Sequence, residues 1–398
     1  MSLFDAAERF AAMDRSQIIL DAKRCLHSQD QNSTCSECLR LCPENAIIEG
    51  KPPSLNVEAC RSCLACIPSC PVGAYQADDA VVSLLNCAAR VESGPVELIC
   101  ARHPHPETGM SAEGLGIRVP GCLAGLGAGA LVLLSSLGIE KVILRMDACK
   151  ECPWGGLQTH VEKQVSQARL FLAAWGKSSQ IACSTEREGL VDRPVWDSKN
   201  PPLSRRDMFR LFAQQGKLTM ARAIENERTN PGHRPGRDRL RMLGAITHLP
   251  TPERTESLQL GEMNFAFLSA SEACTACAVC ARVCPTSALQ FEKNKAEKAY
   301  TLTFSARNCV GCEMCMHVCA PSALTLDRTP TFAQIFSEEI VTLQEGGLVK
   351  CTRCGVLTAA QPGVNLCPLC EYRRTHPFGS MLPPGVQLQL QAKKKKRS

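Results

Sequence analysis

Cys274-Thr-Ala-Cys277-Ala-Val-Cys280-Ala-Arg-Val-Cys284-Pro285, followed by Cys309-Val-Gly-Cys312-Glu-Met-Cys315-Met-His-Val-Cys319, decides how this chain is read. Each run offers three thiols at two-residue gaps and a fourth after three more residues, with Pro285 directly behind one and Pro321 one place later behind the other. A cubane [4Fe-4S] cluster needs this supply, three sulfurs from one tight loop and a fourth from elsewhere. Structural zinc sites are built from two CxxC pairs instead. The CxxxCxxC spacing of radical S-adenosylmethionine enzymes occurs nowhere in the chain.

The pattern recurs near the N-terminus. Cys60-x2-Cys63-x2-Cys66-x3-Cys70-Pro71 is regular, whereas its partner reads Cys25-x9-Cys35-x2-Cys38-x3-Cys42-Pro43. Only Cys35 to Cys42 must wrap closely, so Cys25 is expected to ligate from a longer loop. Each fourth cysteine opens a related hexapeptide: Cys42-Pro-Glu-Asn-Ala-Ile, Cys70-Pro-Val-Gly-Ala-Tyr, Cys284-Pro-Thr-Ser-Ala-Leu and Cys319-Ala-Pro-Ser-Ala-Leu. One unit is thus repeated, in which proline turns the chain away from helix, and Ala plus a bulky apolar residue packs where a short strand begins.

Residues 16–80 and 265–328 resemble bacterial two-cluster ferredoxins. The resemblance implies two small α+β units of pseudo-twofold symmetry in which paired motifs exchange their fourth ligand. It assigns four [4Fe-4S] clusters: Cys25, Cys35, Cys38 and Cys70; Cys60, Cys63, Cys66 and Cys42; Cys274, Cys277, Cys280 and Cys319; Cys309, Cys312, Cys315 and Cys284.

Between these units, at 81–190, short apolar runs at Pro95–Cys100, Gly116–Pro120, Lys141–Met146 and Gln180–Ser184 read as buried strands. Helical stretches at Gly127–Leu137 and Leu157–Gly176 separate them, so a small parallel α/β domain is expected. Cys100, Cys122 and Cys149 fall at the C-terminal ends of these strands, where ligands gather in such sheets. Leu98-Ile-Cys-Ala, Ile117-Arg-Val-Pro-Gly-Cys122 and Met146-Asp-Ala-Cys149-Lys-Glu-Cys152 resemble the delta (iron–sulfur) subunit of methyl-viologen-reducing hydrogenase. That resemblance implies a [2Fe-2S] cluster, with Cys100, Cys122, Cys149 and Cys152 as candidate ligands, and redox partners of the hydrogenase and heterodisulfide-reductase type. The alternative is an adaptor with buried, unligated thiols, a role that suits Cys87 and Cys183.

A basic connector spans 191–264, with an amphipathic helix expected around Leu203–Phe212 and its arginines expected in solvent. Ser204-Arg-Arg-Asp-Met-Phe has twin arginines but no apolar run behind it, so export is not expected. At 345–375, Cys351-x2-Cys354-x12-Cys367-x2-Cys370 gives the ligand set of a zinc-ribbon-like knuckle, with rubredoxin-like iron as the alternative. The tail, 376–398, ends in Lys393-Lys-Lys-Lys-Arg397 and is expected to be disordered.

Composition bounds the function. Twenty-six cysteines in 398 residues, without an apolar leader, point to metal-bound thiolates in a reducing, cytoplasmic setting. The most apolar stretch, Gly121–Leu137, is too short for a bilayer and reads as a core helix. The net charge of +6 counts every thiol as neutral; four oxidised clusters at about −2 each would bring it near −2. No dinucleotide fingerprint or catalytic constellation is present. The expected function is therefore an electron-transfer subunit relaying single electrons between donor and acceptor oxidoreductases, such as hydrogenase, heterodisulfide-reductase-like, flavoprotein or formate-dehydrogenase-type complexes. A redox-sensing or nucleic-acid-binding protein is the alternative, disfavoured by sparse aromatic residues.

Overall fold

The computed structural model describes residues 18–78, 81–91, 94–109, 114–186, 191–202, 233–250, 252, 258–260, 263–294, 296–336, 340–360, 363, 365–377 and 386–387. The amphipathic helix expected at Leu203–Phe212, the twin arginines and most of the tail lie outside them. The chain forms two compact units, one comprising residues 1–28, 35–231 and 235–258, the other residues 29–34, 232–234 and 259–398.

In unit 1, the cysteine-rich segment contributes strands β1 (Ile19–Leu20), β2 (Ile47–Ile48), β3 (Ser54–Leu55) and β4 (Tyr75–Gln76) and short helices α1 (Glu37–Leu41) and α2 (Cys66–Ser69). β1 pairs antiparallel with β4, and β2 with β3. Ile18, Ile47, Ile67 and Tyr75 pack with Cys60 and Cys66 in one small core, so the sulfur-bearing loops are themselves core material.

After helix α3 (Val81–Ala88), strands β5 (Pro95–Ile99), β6 (Thr108–Gly109), β7 (Leu115–Arg118), β8 (Lys141–Arg145), β9 (Ile181–Ser184), β10 (Val191–Asp192) and β11 (Val195–Asp197) follow. Five of them form a parallel sheet in the order β11-β7-β5-β8-β9. The four expected strands are present; β11, beyond the expected boundary at 190, is a fifth. Val195-Trp-Asp197 is too short to show a pattern and is drawn into the edge by pairing with β7. Helix α4 (Ala128–Ser136) is buried along its whole length, as its apolar sequence requires. Helix α5 (Gln158–Leu172) buries Val161, Val165, Ala168, Phe171 and Leu172 at helical spacing.

The connector holds a surprise. Helix α6 (Arg237–Ile246) carries Arg237 and Arg241, both buried rather than solvated, and packs on α4. Arg237 Nη1 donates to the Ala77 carbonyl at 2.6 Å. Asp238 Oδ1 accepts the Gly129 amide at 2.7 Å, satisfying a first-turn donor of α4 from another helix. A Cβ at Gly129 would meet Asp238 backbone oxygen at 2.0 Å, so the crossing requires glycine there.

Unit 2 contains β12 (Phe267–Ala270), helix α7 (Val279–Val283), β13 (Leu289–Asn294), β14 (Ala299–Phe304), α8 (Met314–His317), β15 (Leu324–Asp327), α9 (Phe332–Phe336), β16 (Val341–Lys350), β17 (Leu357–Ala359) and α10 (Pro368–Thr375). β12 pairs with β15, and β13-β14-β16-β17 form an antiparallel sheet. Alternation in Ala-Tyr-Thr-Leu-Thr-Phe buries Tyr300, Leu302 and Phe304 on one face. No described helix is long and apolar enough to cross a membrane.

Candidate metal and cluster sites

The loops that carry the cysteines share one backbone solution. In Cys60–Cys66, Cys274–Cys280 and Cys309–Cys315, the second and fourth residues after the first cysteine are left-handed: Ser62 and Leu64, Ala276 and Ala278, Gly311 and Glu313. Five of these six are not glycine, and such residues cost roughly 1 to 3 kcal/mol each unless the surroundings impose the geometry. Alternating left- and right-handed residues curl a chain into a concave nest of amides, an anion-binding surface suited to a negatively charged cluster. The irregular Cys35–Cys42 segment lacks this curl and begins α1 instead.

The repeated hexapeptide has a geometric reason too. Asn45, Gly73, Ser287 and Ser322, each three residues after a fourth cysteine, are all left-handed. Their amides return to the cysteine carbonyls, and the next amide is thereby aimed at sulfur. Ala46, Ala74 and Ala323 donate N–H to Cys42, Cys70 and Cys319 Sγ at 3.3, 3.2 and 3.3 Å. In the remaining copy, Thr286 Oγ1 lies 3.7 Å from Cys284 Sγ. Any residue but proline could supply that amide; the burial of Ala46, Ala74, Ala288 and Ala323 is what calls for a side chain this small.

Thiols of sister motifs stand near one another. Burial raises the Cys70 thiol to about 11, with Cys35 and Cys38 adding to the effect, while Cys25 feels Cys38. Burial raises Cys63 to about 11, with contributions from Cys42 and Cys60. In unit 2, Cys280 is lifted to about 12 by burial and also by Cys277, Cys274 and Cys319. Cys312 reaches about 12 chiefly through burial, with Cys309 and Cys284 beside it. Each fourth cysteine thus has thiols of the sister motif among its neighbours, and burial favours the neutral thiol form at Cys63, Cys70, Cys280 and Cys312.

In the middle domain, Cys100, Cys122, Cys149 and Cys152 line one cavity beyond the C-terminal ends of β5, β7 and β8, together with His103 and Trp154. The Trp154 backbone N–H points at Cys152 Sγ, 3.4 Å away. Cys183 lies near Cys149, while Cys87 is fully buried in α3 near Arg90. Beneath the cavity is a charge network that sequence reasoning missed. Arg145 donates to both carboxylate oxygens of Asp147 at 2.8 and 2.9 Å and to Glu97 at 3.2 Å. Arg193 Nη2 reaches Glu97 Oε2 at 2.6 Å, and His103 Nε2 lies 3.2 Å from Asp147. Burial opposes ionisation of Asp147, yet hydrogen bonds from His103 and Arg145 prevail and hold it below the usual carboxylate range. Single charges inside apolar strands, Glu97 in Pro-Val-Glu-Leu-Ile and Arg145 in Val-Ile-Leu-Arg, were the available signal.

Cys351, Cys354, Cys367 and Cys370 converge so that their sulfurs all lie within 4.8 Å of one another. Cys354 and Cys367 sulfurs are 3.7 Å apart; a tetrahedron with metal–sulfur bonds of about 2.3 Å has an edge of about 3.8 Å. Gly355 is left-handed and donates its N–H to the Cys351 carbonyl, closing the first knuckle, and Pro368 starts α10 behind Cys367. The Cys367 amide, foremost among several backbone donors, lowers the Cys351 thiol to about 6. Burial pushes Cys370 up to about 12.

Residues 273–323 match the family of 4Fe-4S dicluster domains, so this stretch is a ferredoxin-like iron–sulfur unit. No curated protein matches the chain.

Proposed function

We propose that this chain is a multi-cluster electron-transfer subunit, with two [4Fe-4S] clusters in each terminal unit, a [2Fe-2S] cluster in the middle domain and zinc at the C-terminal knuckle. The observation that carries it is the nearness of sister-motif thiols: in the N-terminal segment, as in the 273–323 dicluster unit, a fourth cysteine has thiols of the other motif beside it. A bound cubane supplies one-electron exchange with no change in bonding and no obligatory proton. The chain's own residues supply thiolates, inward amides and dry walls, which set potential and exclude water. A tetrahedral metal is supported by the sulfur spacing, and zinc over rubredoxin-like iron by knuckles that each carry only half of a Cys-Pro-x-Cys-Gly pattern. The redox partners are separate oxidoreductases of the hydrogenase, heterodisulfide-reductase, flavoprotein or formate-dehydrogenase kind, and a reducing cytoplasm suits so many thiolates.

Anaerobic purification with metal and sulfide counting, then EPR of the dithionite-reduced protein, tests this reading. Expected are about sixteen irons in [4Fe-4S] form, about eighteen with the middle [2Fe-2S] cluster, and one zinc. Zinc without iron overturns it.

A further inference from the structure

Within unit 1, the loop bearing Cys63 is pressed against the loop bearing Cys122. A Cβ at Gly125 would stand 2.7 Å from Leu64 Cβ and 3.1 Å from the Cys63 carbonyl oxygen; one at Gly121 would touch Leu64 Cδ1 at 3.4 Å. Gly125 thus lets one backbone approach another more closely than a side chain would permit, while Gly121 holds a positive φ at the same seam. The seam is pinned a second time, because Trp154 Nε1 donates to Glu44 Oε1 at 2.6 Å. Glu44 stands two residues after Cys42, and Trp154 two after Cys152, so both pins join a thiol-bearing loop of the cysteine-rich segment to one of the middle domain. Leu64 itself is buried and left-handed, held in place by the curl around Cys63.

The geometry points to a direct electron route from the group Cys42, Cys60, Cys63 and Cys66 to the group Cys100, Cys122, Cys149 and Cys152, across the Leu64–Gly125 seam. This rests on the proposed loading of both groups with clusters. One electron leaves the first cluster, which is oxidised by one unit, and reduces the second by one unit. No bond forms or breaks and no proton moves. The electron comes from a low-potential one-electron donor, dithionite in the experiment below. Tunnelling falls exponentially with separation, so glycine at 125 serves the transfer as well as the packing. The middle domain is then a terminus wired to the N-terminal unit rather than an inert adaptor.

The test uses the full-length protein, purified anaerobically and reduced with dithionite. The middle-site EPR signal is the one lost in Cys149→Ser. In the parent protein it is expected to be broadened and fast-relaxing through the neighbouring reduced cluster. Gly125→Ala is expected to keep the iron content while the signal narrows and saturates at lower power; Leu64→Gly in that background, which removes the clashing Cβ, is expected to restore the broadening. Trp154→Phe, which deletes the Glu44 bond and shrinks the ring beneath Arg102, gives a milder loosening should Gly125→Ala not fold. An unbroadened middle-site signal in the parent protein, or broadening unchanged by Gly125→Ala at full iron content, overturns the route. Equal iron together with an unchanged EPR spectrum in the parent and Cys149→Ser also overturns it, by showing that the middle site holds no cluster.

Discussion

Tyr75 shows how much a single buried atom can matter here. Its hydroxyl is buried with no nitrogen or oxygen partner, and burial together with the facing Cys38 sulfur keeps the phenol well above its usual range. When Cys25, Cys35, Cys38 and Cys70 hold a cluster, this O–H is placed to donate to sulfur and so favour the reduced, more negative state. Tyr75→Phe is therefore expected to lower that cluster's midpoint potential without loss of iron. A net hydrogen bond of about 1 kcal/mol corresponds to about 40 mV for one electron, readable by EPR-monitored redox titration. An unchanged potential removes the role.

At the scale of elements, the C-terminal knuckle is tied to the first cysteine loop of unit 2. Strand β17, whose hairpin with β16 leads into the knuckle, receives the loop Cys274–Cys277: Ala359 N–H and Thr358 Oγ1 both donate to the Thr275 carbonyl at 3.2 Å. Ala276, Tyr300, Leu348 and Ala359 share a core, so the cluster loop and the ribbon strands are one packing unit. Cys367→Ser is expected to abolish zinc binding, measured by elemental analysis, and to hasten loss of the Cys274, Cys277, Cys280 and Cys319 cluster in air. The N-terminal clusters are expected to decay at the parent rate. Uniform decay of all clusters, followed by absorbance and EPR, contradicts this coupling.

Over the whole of unit 1, α6 acts as a strap whose key contact is titratable. Burial raises the Asp238 carboxyl to about 6, opposed by Arg241, the Gly129 and Ala130 amides and Arg239. The unfolded value is near 3.9, so between about pH 4 and 6 the folded state holds the extra proton and stability falls as pH rises. Above pH 6 the loss is complete, at most about 3 kcal/mol. Asp238→Asn is expected to flatten this slope relative to the parent in urea titrations across that window. A parallel pH dependence in the two proteins refutes the assignment.

Much of this was legible in the chain itself. Ligand spacing is a short-range property, since three thiols on one tight loop suffice to specify a cubane; the four hexapeptides likewise encode a local turn, although its left-handed third residue and the amide it aims at sulfur became visible only in the backbone. The parallel strands were legible because buried strands read as continuous apolar runs. Which triplet meets which fourth cysteine is decided by tertiary packing that unites residues tens of positions apart, and the sequence supplied it only by resemblance. Tertiary structure alone decided the fifth strand, the burial of Arg237 and Arg241, the network around Glu97 and Arg145, and the seam at Leu64. Each depends on groups distant in sequence that satisfy one another only when folded. Buried charges and close-packed glycines look, in one dimension, like those of any loop.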